Sequence, residues 1–102
     1  MIYVIATVGF AEGTRTKYLK ELRKIIPLVQ AEEGCLEYGA AADVTTGIPV
    51  QDPINENTIT IIERWADIAA LKIHLKAPHM QTYRNAVKDY VKVVSIRVLE
   101  PL

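Results

Sequence analysis

The chain is poor in most of the features that announce a function. It has one cysteine, Cys35, among 102 residues. That excludes an intrachain disulfide and a Cys-rich metal site, and it suits a reducing cytoplasm with Cys35 as a buried thiol. Neither charge is in excess: twelve Lys and Arg meet twelve Asp and Glu. Nucleic-acid binders usually carry a basic surplus, so no nucleic-acid partner is expected. The longest strongly apolar run covers only the first ten positions. A membrane span needs about 20, and no basic segment precedes the run, so it reads as neither a span nor a signal peptide. HExxH, CxxC, P-loop and GxGxxG patterns are all missing, and so are repeats. His74 and His79 alone do not imply a three-ligand zinc site, and Pro78 between them keeps them off one helical face, so no metal is expected.

What is present is apolar. Half of the residues are hydrophobic, in a domain short enough to bury only roughly 60–65% of its extended surface. That surplus predicts burial in a second interface. The chain reads as one domain over residues 1–102.

Residues 2–10, IYVIATVGF, are β-branched and apolar in both phases, as in a central strand. Thr14 is placed to cap a helix that runs to about Glu33, with Tyr18, Leu22, Ile25, Ile26 and Val29 on one side. Pro27 predicts a kink or break there, and Gly34 a left-handed end. Residues 35–43 read as a second strand with Leu36, Tyr38, Ala40 and Ala42 on one face. Residues 44–57 form a long loop, and 58–65, TITIIERW, a third strand. Asp67 caps a short helix, Pro78 opens another, and the last strand covers about 91–99.

The order β-α-β-β-α-β is the ferredoxin-like split motif, an α+β fold with a four-stranded antiparallel sheet and its helices on one face. The other sheet face carries too many apolar groups to be simply wet. Two subunits are expected to pack these helix-free faces together and enclose a cavity.

Glu63 shares a strand face with Ile61 and Trp65. A carboxylate there is costly unless paired or exposed. It is either a polar anchor in a dry pocket or an ion-pair partner of Arg64, Arg97 or a lysine at the sheet edge. Trp65 is either a flat wall for an aromatic ligand or the end of the core. His74 lies near the apolar side of its helix and can exchange a proton near neutral pH, or serve as a structural hydrogen bonder. His79, at a helix start, reads as solvated or capping. Tyr38 and Tyr83 can line a cavity or fill the core. Arg84 can bind an anionic oxygen or a surface carboxylate. Nothing activates Cys35.

The segments EEGCLEY (32–38), IIERW (61–65), HLKAPHM (74–80), AVKDYV (86–91) and IRVLEP (96–101) together resemble the antibiotic-biosynthesis-monooxygenase (ABM) superfamily, in particular its YgiN-type quinol monooxygenase group. The resemblance extends to element order and to the long loop at 44–57. It implies a homodimeric α+β barrel, with higher association left open, and one pocket per subunit. It further implies oxidation of a quinol or related dihydroxy-aromatic substrate by O2 without cofactor. In that scheme His74 and Glu63 handle the proton or bind the phenolic oxygen. Trp65 and Ile61 form a wall, and Tyr38, Tyr83 and Arg84 complete the pocket. The haem-degrading branch resembles the chain less. It uses an asparagine on the first strand, and none occurs here before Asn55.

Two other functions stay open. The same fold includes LsrG-like isomerases of small phosphorylated sugar-derived signals, which share an HxxxPH pattern like that from His74 to His79. Arg64, Lys76 and Arg84 would then converge on phosphate. The third reading is a small-molecule-binding dimer without turnover.

Overall fold

The computed structural model describes residues 1–102. The elements follow in the order β1 (Ile2–Phe10), α1 (Arg15–Gln30), β2 (Cys35–Ala41), β3 (Thr58–Trp65), α2 (Ile68–Lys76), α3 (Pro78–Val87) and β4 (Val91–Leu99). The sheet order is β2-β3-β1-β4, and every neighbouring pair is antiparallel. This is the ferredoxin-like arrangement, with the second helical segment divided in two. No helix is long and apolar enough to cross a membrane.

Strand alternation sets the core. Ile2, Val4, Ala6, Val8 and Phe10 of β1 are buried, as are Ile59, Ile61, Glu63 and Trp65 of β3. Helix α1 adds Tyr18, Leu22, Ile25 and Val29 at spacings of three and four. Asp67 caps α2 by accepting from the Ala70 N–H at 2.8 Å. Pro78 occupies the start of α3.

Several local expectations are corrected. Thr14 stands at the cap position, but its hydroxyl donates back to the Ala11 carbonyl and caps nothing. Pro27 does not break α1, which continues to Gln30 and then stops short of Glu33. Proline removes the donor to the Arg23 carbonyl, but its own carbonyl still accepts from Ala31 N–H at 3.2 Å and holds the last turn. Gly34 is left-handed, with φ of 82°, but it lies in the turn beyond the helix. There its carbonyl accepts from Ala66 N–H at 2.8 Å and ties the turn to the end of β3. Strand β2 is shorter than expected, and its register shifts between Cys35 and Glu37, which leaves Leu36 exposed while Tyr38 is buried.

The helices cover the sheet unevenly. Helix α1 packs on β2 and α3, and α2 on β3 and α3, while β4 has no substantial helix contact. Val94 and Ile96 of β4, paired with Val8 and Ala6, are 60% and 49% exposed. The gap left over that edge becomes the site.

Candidate active site

A cavity of about 500 Å³ lies between the sheet and the helices α2 and α3. Its floor is Ala6, Val8, Ile61 and Glu63, with Tyr38 at the β2 side. His74, Met80, Tyr83 and Val87 form the roof, and Val94 and Ile96 the open side. The cavity was expected on the helix-free face, between two subunits. It lies on the opposite face, where the helices leave β4 uncovered. The helix-free face holds Thr7, Thr58, Thr60 and Arg64 besides Tyr3, Ile5 and Ile62.

Glu63 is 4% exposed and lines this cavity. It takes no part in an ion pair. Arg64, one residue on, points to the other face and pairs with Glu37 at 2.8 Å. Glu63 Oε1 instead accepts from the Trp65 indole N–H at 2.8 Å. Burial pushes the Glu63 pKa up to about 7, against the pull of that hydrogen bond, and the Glu32 charge adds to the rise. The group is therefore divided between its two protonation states at neutral pH.

His74 is 2% exposed. Its ring lies 4.6 Å from the Trp65 ring and 5.6 Å from that of Tyr38, centroid to centroid. Burial lowers its pKa, outweighing the Glu32 carboxylate beside it, so the imidazole is neutral at pH 7. Nδ1 is hydrogen-bonded to Glu32 Oε2 at 2.8 Å. His79 Nε2 bonds the same oxygen at 2.9 Å. His79 is thus neither merely solvated nor a cap. Glu32 is the residue that the sequence reading missed. The only available signal was its place in EEGCLEY ahead of the HLKAPHM segment, and neither spacing predicts that they meet.

The remaining candidates separate. Tyr38, Ile61, Tyr83 and Arg84 line the cavity, whereas Trp65 is fully buried behind Glu63 and His74 and is not part of its surface. Trp65 supports the two polar groups and offers no wall to a ligand. The Tyr83 hydroxyl meets that of Tyr18 at 2.7 Å, and burial raises the pKa of both. Burial also raises that of Tyr38. Arg84 Nη2 donates to the Leu75 carbonyl at 2.7 Å and faces no carboxylate within ion-pair range. Of Arg64, Lys76 and Arg84, only Arg84 reaches the cavity, so the phosphate-binding set does not assemble. No group of three His, Cys, Asp or Glu side chains is arranged to hold a metal ion.

An apolar cavity lined by a histidine of lowered pKa and a carboxylate of raised pKa has the chemistry that proton transfer on a hydrophobic ligand requires. Comparison with known proteins gives it a family. The antibiotic biosynthesis monooxygenase family matches residues 1–86. The chain belongs to this family. It is 39% identical, over 99% of its length and 98% of the relative's, to the probable quinol monooxygenase YgiN of Escherichia coli K12. Among solved structures, it resembles PA3566 of Pseudomonas aeruginosa with a TM-score of 0.84 and 28% identity, covering 99% of this chain and 93% of that one. Rv0793 of Mycobacterium tuberculosis gives 0.82 and 25%, covering 99% and 94%. Family and relatives together mark the chain as an oxidoreductase of the monooxygenase kind.

Proposed function

We propose that the protein is a cofactor-independent monooxygenase that oxidises a quinol, or a related dihydroxy-aromatic compound, with O2. The observation that carries this reading is the buried, neutral His74 in the roof of an apolar cavity whose floor holds Glu63. The name of the relative YgiN supports the substrate class.

A quinol hydroxyl is a weak acid, near the tyrosine value of about 10. His74 accepts its proton, the O–H bond breaks, and the electron pair stays on oxygen. The resulting quinolate is electron-rich enough to give an electron to O2 directly. Semiquinone and superoxide recombine at a ring carbon, the peroxide anion takes back the proton from His74, and the hydroperoxide loses water. The sum is quinol plus O2 to hydroxyquinone plus water. Glu63 hydrogen-bonds the second phenolic oxygen in either protonation state. Arg84 and Lys88, both at the cavity, favour the anion. Apolar walls exclude water from the radical pair.

A second copy of the chain is the partner in this proposal. Strand β4 is an edge strand of nine residues with exposed Val93, Val94, Ile96 and Val98. An uncovered apolar edge of that length is a liability in a monomer. A dimer that covers it also closes the open side of the cavity. In this proposal the enzyme works in the cytoplasm, a setting with which the free thiol Cys35 is consistent.

Oxygen uptake with a panel of reduced quinones, including a naphthoquinol, tests the reading. Protein-dependent uptake that falls at least about a hundredfold in His74→Ala is expected. Binding without uptake across the panel would overturn it and assign the cavity to storage or sensing.

A further inference from the structure

We propose that Glu32 is the positioning residue of this site, fixing which nitrogen of His74 faces the substrate and stabilising the imidazolium that forms when His74 takes up a proton. The inference rests on the functional reading above for its catalytic consequence, though not for its geometry.

Glu32 sits in the turn after α1 and does not line the cavity. Its side chain is only 13% exposed. One oxygen, Oε2, is 2.8 Å from His74 Nδ1 and 2.9 Å from His79 Nε2. An ionised carboxylate only accepts, so both ring nitrogens carry hydrogen. A neutral imidazole has one N–H, which places it on Nδ1 of His74 and leaves Nε2 with a bare lone pair. No buried side-chain nitrogen or oxygen is left without a partner, and Nε2 has none within the protein. It therefore opens on the cavity that His74 lines. The tautomer and the direction of the base follow from one carboxylate.

The same oxygen answers for the charged state. When Nε2 takes the proton of a quinol hydroxyl, the imidazolium that forms has the Glu32 carboxylate in contact and needs no reorganisation to be stabilised. His79 fixes Oε2 from the far side. It reaches that position because the chain is extended at Ala77, with φ of −60° and ψ of 142°, which separates α3 from α2. The groups facing His74 are Glu32 from the turn, His79 and Arg84 from α3, Glu63 and Trp65 from β3, and Tyr38 from β2. Among them Glu32 raises the His74 pKa, while His79 and Arg84 lower it.

The test combines nitrogen NMR of the histidine rings with kinetics of Glu32→Gln. In the unaltered protein at neutral pH, His74 is expected to show a protonated Nδ1 and a bare Nε2. The glutamine keeps an acceptor oxygen but removes the charge. It should lower kcat at least about tenfold with KM within about twofold, and move the acid limb of kcat/KM to lower pH. Glu32→Asp should restore part of kcat. A protonated Nε2 on His74, or wild-type kcat with an unmoved acid limb in a folded Glu32→Gln protein, overturns the proposal. If the unaltered protein consumes no O2 with any quinol, the functional reading fails, and the NMR result still decides the role of Glu32.

Discussion

The Trp65 indole donates to the Glu63 carboxylate at 2.8 Å, two residues away along one strand. Side chains at that separation share a face, so β3 supplies both the buried acid and its partner. One neutral donor does not offset the burial, and the Glu63 pKa rises to about 7.

Glu63 therefore makes stability depend on pH. An unfolded glutamate ionises near about 4.3, and the folded one near 7. Between these values the folded state holds a proton that the unfolded state has lost, so stability falls as pH rises through the window. His74, with a lowered pKa, acts in the opposite sense below about 6.5, in both wild type and variant. Glu63→Gln should gain about 2–3 kcal/mol on the wild type between about pH 4.5 and pH 8. Urea unfolding across that range checks it; parallel stability curves would contradict it.

The hydroxyls of Tyr18 and Tyr83 meet at 2.7 Å in the core, 65 residues apart. Removing either one leaves the other buried with no partner. Tyr18→Phe and Tyr83→Phe should each cost about 1–2 kcal/mol, and the double variant less than their sum. Additive losses in a denaturant cycle would show that water already satisfies these groups.

Gly34 has φ of 82°, and a Cβ built there would stand 2.6 Å from the Ala70 Cβ. Gly34→Ala should cost about 2 kcal/mol or more, from strain and from displacement of α2. Because Glu32 is two residues earlier, turnover should fall further than stability at temperatures where the variant is fully folded. Thermal unfolding with kinetics on the same sample measures both, and unchanged values in both would refute this account of the turn.

The exposed strip on β4 predicts a dimer at micromolar concentration in sedimentation. Val94→Glu, at a position 60% exposed in the single chain, should dissociate it with little change in fold. A monodisperse wild-type monomer would contradict the proposed partner.

Much of the fold was legible because it is local. β-branched alternation marked β1 and β3, and Asp67 and Pro78 marked two helix starts through capping and a harmless missing donor. The site was legible only in part. His74 and Glu63 stood out as polar groups on apolar faces. Glu32 did not, since the helix was expected to run on to about Glu33, and its partners lie 42 and 47 residues away. The cavity was placed on the wrong face because periodicity shows which side chains share a face, but not how far a helix extends over it. The bulge between Cys35 and Glu37 was likewise invisible, as the alternation of β2 runs on through it.

The most direct test of the central claim is the fate of the oxygen atoms. A reduced naphthoquinone is turned over under isotopically heavy O2 in ordinary water, and the product is weighed by mass spectrometry. The account predicts one heavy atom in a new ring hydroxyl and the other in water, at a rate that collapses in His74→Ala. A product quinone without heavy oxygen, formed at the same rate by both proteins, would contradict it.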